Sequence, residues 1–322
     1  MPTGLAYVVL AHTLPEQLAR LVARLDHPDD LVLVHVDGKE AAGPFERALE
    51  PLIETGRVRL VDERVACHWG GPGHLLATLS AAHEALDSGG DFSHLVLLTG
   101  QDYPIRPTDE IREFFARQPE RSFLSWSLGT GQELDDTARP GNERWHWNGS
   151  LGRLVQRHYK LPGRKVPLAL PPDRLRHKLP ARRLPEGLTP AQGLAYWALT
   201  REAVAYCLEH ARRRPDVGRF LRRSLVADEF YFQMVLLSSP LADTLVNEDL
   251  RYLNWDGWHP RTITMDDLEP MLASRKLFAR KFDTTVDGAV MDVLDQLMPQ
   301  VSSKTHGNRA SEKTPEHRGV SC

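Results

Sequence analysis

The stretch LAYVVLA at residues 5–11 determines the fold class of this 322-residue chain. Every residue in it is apolar, which is typical of a strand buried on both faces of a sheet. The next segment, TLPEQLARLVARL (13–25), has apolar residues at helical spacing, and Thr13 is predicted to cap that helix. A second apolar strand, LVLVHVD, follows at 31–37. The chain therefore opens with a strand, a helix and a strand.

The same alternation continues for about a hundred residues. Further strands are predicted at 57–61 and 94–100, and further helices at 74–86 and 108–118. Alternating strands and helices indicate an α/β fold with a mostly parallel central sheet flanked by helices. Ligands of such sheets bind beyond the carboxyl ends of the strands, which here are near Asp37 and Asp102.

Composition excludes several function classes. The chain has 41% hydrophobic residues, a net charge of −3 and a pI near 6.5, so nothing favours general binding to nucleic acid. Three cysteines lie far apart, without metal-ligand spacing and too few for a disulfide framework. The N-terminal apolar run lacks a basic leader and is too short to cross a bilayer. These features predict a cytoplasmic protein without a transmembrane segment.

The chain is predicted to form a single domain over residues 1–300. A β/α half at 5–120 would bind the nucleotide part of a ligand, and a second half at 191–300 would complete the site. Between them, residues 160–190 are rich in proline, lysine and arginine, and form either a long loop or mobile flap, or a disordered connector. The polar tail, 302–322, is predicted to be disordered.

Two aspartates follow predicted buried strands. Asp37 could accept hydrogen bonds from a ribose or a base, or it could simply begin a turn with Gly38. Asp102, in LLTGQDYPIRP, could contribute to a site or cap the turn that follows. The sequence pattern leaves both alternatives open.

A glycine-rich segment, HWGGPGH (68–74), precedes a predicted helix. Such a segment can bind phosphate, but this one matches neither GxGxxG nor the P-loop pattern, so a plain turn is the simpler interpretation. No GxGxxG follows the first strand, which argues against a nucleotide-dependent oxidoreductase.

Tryptophans beside polar residues are candidates for a carbohydrate surface. NERWHWNG contains Arg144, Trp145 and Trp147, and a later segment contains Trp255 and Trp258. An exposed indole can stack on a sugar ring while polar neighbours bind its hydroxyl groups. The alternative is that these tryptophans lie in the core.

The segment VADEFYFQMVL (226–236) contains an Asp–Glu pair before an apolar run. Asp228 and Glu229 could be the acidic first turn of a helix, or one of them could be catalytic. Later in the chain, Arg261 and Lys281 could bind a diphosphate or could be ordinary surface cations. No Asp-x-Asp occurs, so the common carboxylate clamp for a metal–nucleotide complex is absent.

Taken in order, these segments resemble one family. The resemblance begins with AYVVLAHTLPEQLARLVARL and LVHVDGK, continues through LLTGQDYPIRP and GLAYWALTREAVAYCL, and ends with ADEFYFQMVL, HPRTIT and LFARKFD. The chain is similar to the core-2/I-branching β-1,6-N-acetylglucosaminyltransferases (glycosyltransferase family 14), which include the peptide O-xylosyltransferases. It resembles a soluble, bacterial-type member. The order of the motifs makes the resemblance specific.

The resemblance implies a GT-A-like fold and an inverting, metal-independent transfer from a UDP-sugar, without a cofactor. It implies that Glu229 is the general base, that Arg261 and Lys281 hold the donor diphosphate, and that Asp37 binds the nucleoside. GlcNAc or xylose would pass to a hydroxyl of a glycan, peptide or small molecule. Acceptor contacts are expected from Asp102, Arg144, Trp145 and Trp255. The alternative is a non-catalytic carbohydrate-binding protein on the same fold.

Overall fold

The structure is a computed structural model that describes most of the predicted domain. The described residues are 4–128, 153–154, 157–159, 168–170, 182–256 and 259–298. Arg144, Trp145, Trp147, Trp258, most of the 160–190 segment and the 302–322 tail lie outside them, so the predictions made for these residues remain predictions.

A seven-stranded sheet forms the centre of the molecule, with the order β12-β6-β11-β4-β1-β2-β3. Its pairings are parallel except for those of β11, which runs antiparallel to both of its neighbours. The predicted α/β class with a mostly parallel sheet is confirmed. The strands are β1 (Gly4–Ala11), β2 (Leu31–Val36), β3 (Val58–Leu60), β4 (Phe92–Thr99), β6 (Ser122–Leu124), β11 (Trp197–Thr200) and β12 (Leu245–Asn247).

Smaller sheets lie beside the central one. The most important for the site is three-stranded, with the order β13-β16-β5, and the others are two-stranded pairs. Their strands are β5 (Asp102–Pro104), β7 (Ser127–Leu128), β8 (Arg157–Tyr159), β9 (Leu168–Leu170), β10 (Ala191–Gln192), β13 (Arg251–Leu253), β14 (Trp255–Asp256), β15 (His259–Pro260) and β16 (Phe278–Arg280).

Helices cover both faces of the central sheet. The α-helices are α1 (Pro15–Leu25), α2 (Gly43–Ile53), α3 (Gly73–Asp87), α4 (Thr108–Ala116), α5 (Arg201–Arg213), α6 (Pro215–Leu221), α7 (Tyr231–Leu237), α8 (Leu268–Ala273) and α9 (Ala289–Leu297). Short 3-10 turns occur at Ala227–Glu229, Ala242–Thr244 and Met265–Asp267. Within the described ranges, no helix is both long enough and apolar enough to pass through a membrane.

Alternate residues of β1 belong to different hydrophobic clusters, as expected for a strand buried on both faces. Leu5, Tyr7 and Val9 pack with α1, α2, α4 and α9. Ala6 and Val8 pack with α3, α5, α6 and α7. The two clusters hold the sheet between the helical layers. This packing also sets where the strands end.

One local prediction is wrong. Thr13 does not cap α1, because Leu14 takes the N-cap position in a left-handed conformation and no side chain caps the helix. Pro15, at the first turn, has no N–H that needs a partner. Of the two alternatives that the sequence left open for Asp228 and Glu229, the first turn of the following helix does not hold, because neither residue lies in α7. They lie in the separate 3-10 turn, and Phe230 stands between that turn and the helix.

Candidate active site

The ends of three parallel-sheet strands and one short strand meet at one edge of the molecule. His12 follows β1, Asp37 follows β2, Asp102 follows β4, and Arg280 ends β16. The pKa of His12 is lowered by its burial and by the Arg280 guanidinium, while Asp37 opposes that shift. These residues are therefore near enough to influence each other, as expected at the carboxyl edge of an α/β sheet.

Glycines allow the Glu229 turn to be placed against this edge. The turn begins at Val226, which is left-handed with φ 51°, and the Val226 N–H donates to the Gly70 carbonyl at 3.0 Å. On its other side, the Gly193 N–H donates to the Glu229 carbonyl at 2.9 Å. A Cβ at Gly193 would clash with the Ser125 carbonyl, so only glycine fits there. The glycine-rich segment is thus a structural support for the turn.

Glu229 is a mostly buried carboxylate with few hydrogen-bond donors. Its side chain is 19% exposed, and Gln192 Nε2 donates to its Oε2 at 2.7 Å. Arg153 Nη1 lies 3.9 Å from the same oxygen. Burial, followed by repulsion from Asp228, raises the pKa of Glu229 to about 8, although Gln192 and Arg153 oppose the shift. A carboxylate with a pKa near neutrality suits a general base.

Asp228 is the second carboxyl group of the turn. Burial raises its pKa, and the nearby His74, at the start of α3, opposes that shift. Two adjacent carboxyl groups in one poorly solvated turn disfavour double ionisation. Asp228 therefore helps to keep Glu229 ready to accept a proton.

Asp37 has the opposite environment. Its Oδ1 accepts hydrogen bonds from the Lys39 N–H at 3.0 Å and the Cys67 N–H at 3.1 Å, and Lys39 Nζ lies 3.2 Å from Oδ2. Burial would raise the pKa of Asp37, but these donors outweigh it and lower the pKa. Asp37 does begin a turn, since its carbonyl accepts from the Glu40 N–H. The turn at Asp37 does not test the predicted contact with a nucleoside, which stays a prediction.

Asp102 lies behind the site. It is 0% exposed, and its Oδ2 accepts from the Thr99 N–H at 2.6 Å and the Thr99 hydroxyl at 2.7 Å. The buried Arg251 donates to its Oδ1 at 3.2 Å, and Arg280 lies 3.6 Å from Oδ2. The predicted acceptor contact needs correction, because this carboxylate has no surface to offer an acceptor. Asp102 instead anchors two arginines.

The two predicted diphosphate-binding cations lie on adjacent segments. The Ile263 N–H, two residues after Arg261, donates to the Lys281 carbonyl at 2.8 Å, and the Phe282 N–H donates to the Gln101 carbonyl at 2.9 Å. Both segments therefore lie beside the end of β4. Within the described residues, the Lys281 ammonium makes no hydrogen bond or ion pair.

Arg261 is held in place by Asp267. That carboxylate is 2% exposed, accepts the Arg261 guanidinium and Asn254 Nδ2, and closes a capping box with Thr264. Trp255, on β14, is half-buried and pairs with Pro260, the residue before Arg261. The predicted acceptor residue Trp255 is thus next to one of the predicted donor-binding cations.

Tyr196 connects the acidic turn with the cations. Its ring lies 5.1 Å from the Arg251 guanidinium carbon and 5.3 Å from that of Arg280. Burial raises the pKa of Tyr196 to about 12, and Glu229 adds to the shift while Arg280 opposes it. Arg280 precedes Lys281 in the chain, and these two residues are called the cation segment below. Tyr196 therefore links the environment of Glu229 to the cation segment.

Sequence analysis missed several residues that shape this site. Gln192, Tyr196 and Arg280 lie within or beside the quoted segments GLAYW and LFARKFD, but a single sequence does not show which side chains face Glu229. Arg251 gave no signal, because a buried arginine is recognised only by its partners. Over the part of the chain that the structure describes, no group of three or more His, Cys, Asp or Glu residues could hold a metal ion.

A family model now identifies the chain. The model described as Core-2/I-Branching enzyme matches residues 5–275. The chain belongs to the Core-2/I-branching enzyme family. The match includes Asp37, Asp102, Glu229 and Arg261 and ends just before the segment with Lys281. The resemblance seen in the sequence is confirmed, and the family is one of glycosyltransferases.

Similar proteins include animal and plant transferases. Xylosyltransferase 1 of Canis lupus familiaris is 26% identical in an alignment 319 residues long, which covers 91% of this chain and 30% of that protein. Beta-glucuronosyltransferase GlcAT14A of Arabidopsis thaliana is 25% identical in an alignment 297 residues long, which covers 87% of this chain and 60% of that protein. The chain thus spans about a third of the length of the xylosyltransferase.

A more distant likeness exists among solved structures. The apo form of mouse xyloside xylosyltransferase 1 aligns with a TM-score of 0.38 and 11% identity, over 86% of this chain and 96% of that one. A likeness of this size carries no argument about activity.

Proposed function

We propose that this protein is an inverting, metal-independent glycosyltransferase that uses a UDP-sugar. The observation that carries the proposal is the pair of environments joined at Tyr196: a carboxylate with a raised pKa on one side and a cation segment on the other. Family membership supports the transfer of a sugar, and the geometry supports the assignment of the individual steps.

Glu229 acts as the general base. An acceptor hydroxyl oxygen attacks the anomeric carbon of the donor, its proton passes to Glu229, and the bond between that carbon and the diphosphate oxygen breaks. The bonding electrons leave with UDP, and a single in-line displacement inverts the anomeric carbon. General base catalysis of this kind contributes about 10²–10⁴ in rate.

Arg261 and Lys281 bind the leaving diphosphate. Negative charge develops on the diphosphate as the bond breaks, and preplaced cations stabilise it without reorganisation. Asp267 holds the Arg261 guanidinium, whereas the Lys281 ammonium has no partner of its own among the described residues. These two charges take the role that a divalent metal has in other transferases.

The donor sugar and the acceptor are proposed as classes of molecule. Asp37, whose lowered pKa keeps it ionised, is proposed to bind the nucleoside. GlcNAc and xylose are the sugars that the sequence resemblance suggests, and the names of the relatives add glucuronic acid. Trp255, Arg144 and Trp145 are proposed to contact a glycan, peptide or small-molecule acceptor.

A donor screen tests the proposal. The purified protein is incubated with UDP-GlcNAc, UDP-xylose or UDP-glucuronic acid and a panel of acceptors, with and without EDTA, while UDP release is measured. We expect release from one donor, undiminished by EDTA, and a product that mass spectrometry detects. A strict manganese requirement would contradict the role of the two cations. Glycan binding without UDP release from any donor would favour a non-catalytic carbohydrate-binding protein.

A further inference from the structure

We infer that Gln192 is a positioning residue that holds Oε2 of Glu229 and thereby leaves Oε1 to receive the acceptor proton. The inference deepens the proposed function and rests on it. Its basis is the arrangement of the two carboxylate oxygens, which have different surroundings in the structure.

The contacts of Glu229 all converge on one oxygen. Gln192 Nε2 donates to Oε2 at 2.7 Å, and Arg153 Nη1 lies 3.9 Å from the same atom. Oε1 makes no hydrogen bond within the described ranges, and it is not one of the buried unpaired atoms there. Oε1 therefore keeps some accessible surface and no partner among the described residues, so an acceptor hydroxyl can come within hydrogen-bond reach of it.

Gln192 is placed rigidly for this contact. It is 2% exposed and lies on β10, which pairs with β7 through Ser127. The next residue, Gly193, donates its N–H to the Glu229 carbonyl at 2.9 Å. Adjacent residues of this segment thus hold both parts of Glu229: Gly193 holds its backbone and Gln192 holds its side chain. Neither part of Glu229 can move without the other.

The amide of Gln192 has no other hydrogen-bonding role in the described structure. Its Oε1 is buried without a partner, and its Nε2 donates only to Glu229 among the described residues. A buried amide oxygen without a partner costs stability, so packing alone does not account for glutamine at this position. Its one hydrogen bond serves the base.

The amide also balances the charges around Glu229. Asp228 repels a negative charge on Glu229, while Gln192 and Arg153 stabilise it. Glu229 also interacts electrostatically with Tyr196, and His74 with Asp228. Since a hydrogen bond to the charged form lowers the pKa of an acid, removal of the Gln192 donor should make Glu229 harder to ionise.

The test replaces Gln192 by methionine, which is similar in size and has no N–H group. We expect the acid limb of the kcat/KM profile to move upward by about one pH unit and kcat at pH 7 to fall by about tenfold. The KM for the donor should stay unchanged, because the cations that bind the diphosphate do not touch Gln192.

Gln233→Met is the matched control. Gln233 is also a fully buried glutamine, and it donates to the Leu194 carbonyl at 2.9 Å without contacting Glu229. We expect this variant to lose stability while the acid limb of its pH profile stays in place. An equal upward shift in both variants would overturn the inference, because the shift would then reflect packing around residues 192–194.

A second readout does not depend on turnover. Infrared difference spectra against Glu229→Gln identify the carboxyl band of Glu229, and its disappearance with rising pH gives the pKa of Glu229 directly. We expect a higher pKa in Gln192→Met than in the unsubstituted protein. An unchanged pKa would overturn the role of Gln192, even in a protein with no measurable transferase activity. A higher pKa with no transfer to any acceptor would instead contradict the proposed function alone.

Discussion

Two carboxylates of the site, Glu229 in the turn at 227–229 and Asp102 beside Arg251 and Arg280 (the Asp102 anchor), have opposite environments. Asp102 receives two hydrogen bonds from Thr99 and one from Arg251, with Arg280 at 3.6 Å, and has no exposed surface. Glu229 receives one neutral hydrogen bond and keeps part of its surface open. The difference shows that burial alone does not determine the role of an acid. The number and charge of its donors decide whether it supports the structure or accepts a proton.

The two regions also carry charges of opposite sign: the Glu229 turn is acidic and the Asp102 anchor is basic. The turn at 227–229 contains two carboxyl groups, and Arg153 Nη1 lies 3.9 Å from Oε2 of Glu229. The Asp102 anchor holds Arg251 and Arg280, and Lys281 follows in the chain. In the proposed mechanism, the proton is taken up where negative charge is poorly tolerated, and the diphosphate departs where positive charge is in excess. That separation suits a reaction in which a hydroxyl attacks at one end and a diphosphate departs at the other.

The largest expected effect comes from disrupting the anchor. In Asp102→Asn, Arg251 would remain buried without its carboxylate, and loss of one partner of a buried ion pair costs about 3–5 kcal/mol of unfolding free energy. Urea denaturation measures this change. Asp243→Asn, at an exposed aspartate, is the control and should change little. A loss below about 1 kcal/mol for Asp102→Asn would show that the anchor does not depend on this charge.

A smaller effect, of opposite sign, is expected at the turn. The folded-state pKa of Glu229, about 8, is above its unfolded value of about 4.3, so the folded state binds more protons and loses stability as the pH rises between these values. Glu229→Gln removes that loss. Its unfolding free energy should exceed that of the unsubstituted protein by an amount that grows by about 2.7 kcal/mol between pH 6 and 9, which is about two pKa units at about 1.4 kcal/mol each.

Glu248→Gln is the control for that pH dependence. Glu248 is also partly buried, but Lys276 outweighs the effect of burial and lowers its pKa. Its contribution to stability is present above the unfolded pKa and is lost as the pH falls through the folded one. Glu248→Gln should therefore destabilise the protein at neutral pH, with a deficit that shrinks in acid. Parallel pH curves for the two variants would remove the contrast between the two carboxylates.

The smallest effect concerns the cation segment. Lys281→Ala should weaken UDP binding about tenfold, or about 1.4 kcal/mol, because one charge near the diphosphate is lost. Isothermal titration calorimetry with UDP measures the change. Lys276→Ala is the matched control, since the Lys276 ammonium is engaged by Glu248 and Asp249. Equal UDP affinity in the Lys281→Ala variant and the unsubstituted protein would place the diphosphate elsewhere.

Sequence patterns predicted the strands and motif residues of the site better than the side-chain contacts between distant residues. The apolar run at 5–11 and the alternation after it predicted the sheet, because burial on both faces leaves a continuous apolar signal. The motif order pointed to Glu229, Arg261 and Lys281 through resemblance. The role of Asp102 was missed because it depends on Arg251, 149 residues away. Gln192 was missed because its meaning depends on one contact across the fold, which no local pattern records.

The pH dependence of kcat/KM, measured by UDP release from the unsubstituted protein and from Glu229→Gln, tests the central claim most directly. With Glu229 as the base, kcat/KM should rise with pH to an inflection near 8, and Glu229→Gln should lose about 10²–10⁴ in rate together with that acid limb. UDP binding should survive the substitution, which separates a lost proton acceptor from a lost donor site. A profile that is flat from pH 6 to 9, or a Glu229→Gln variant that turns over at the normal rate, would contradict the claim.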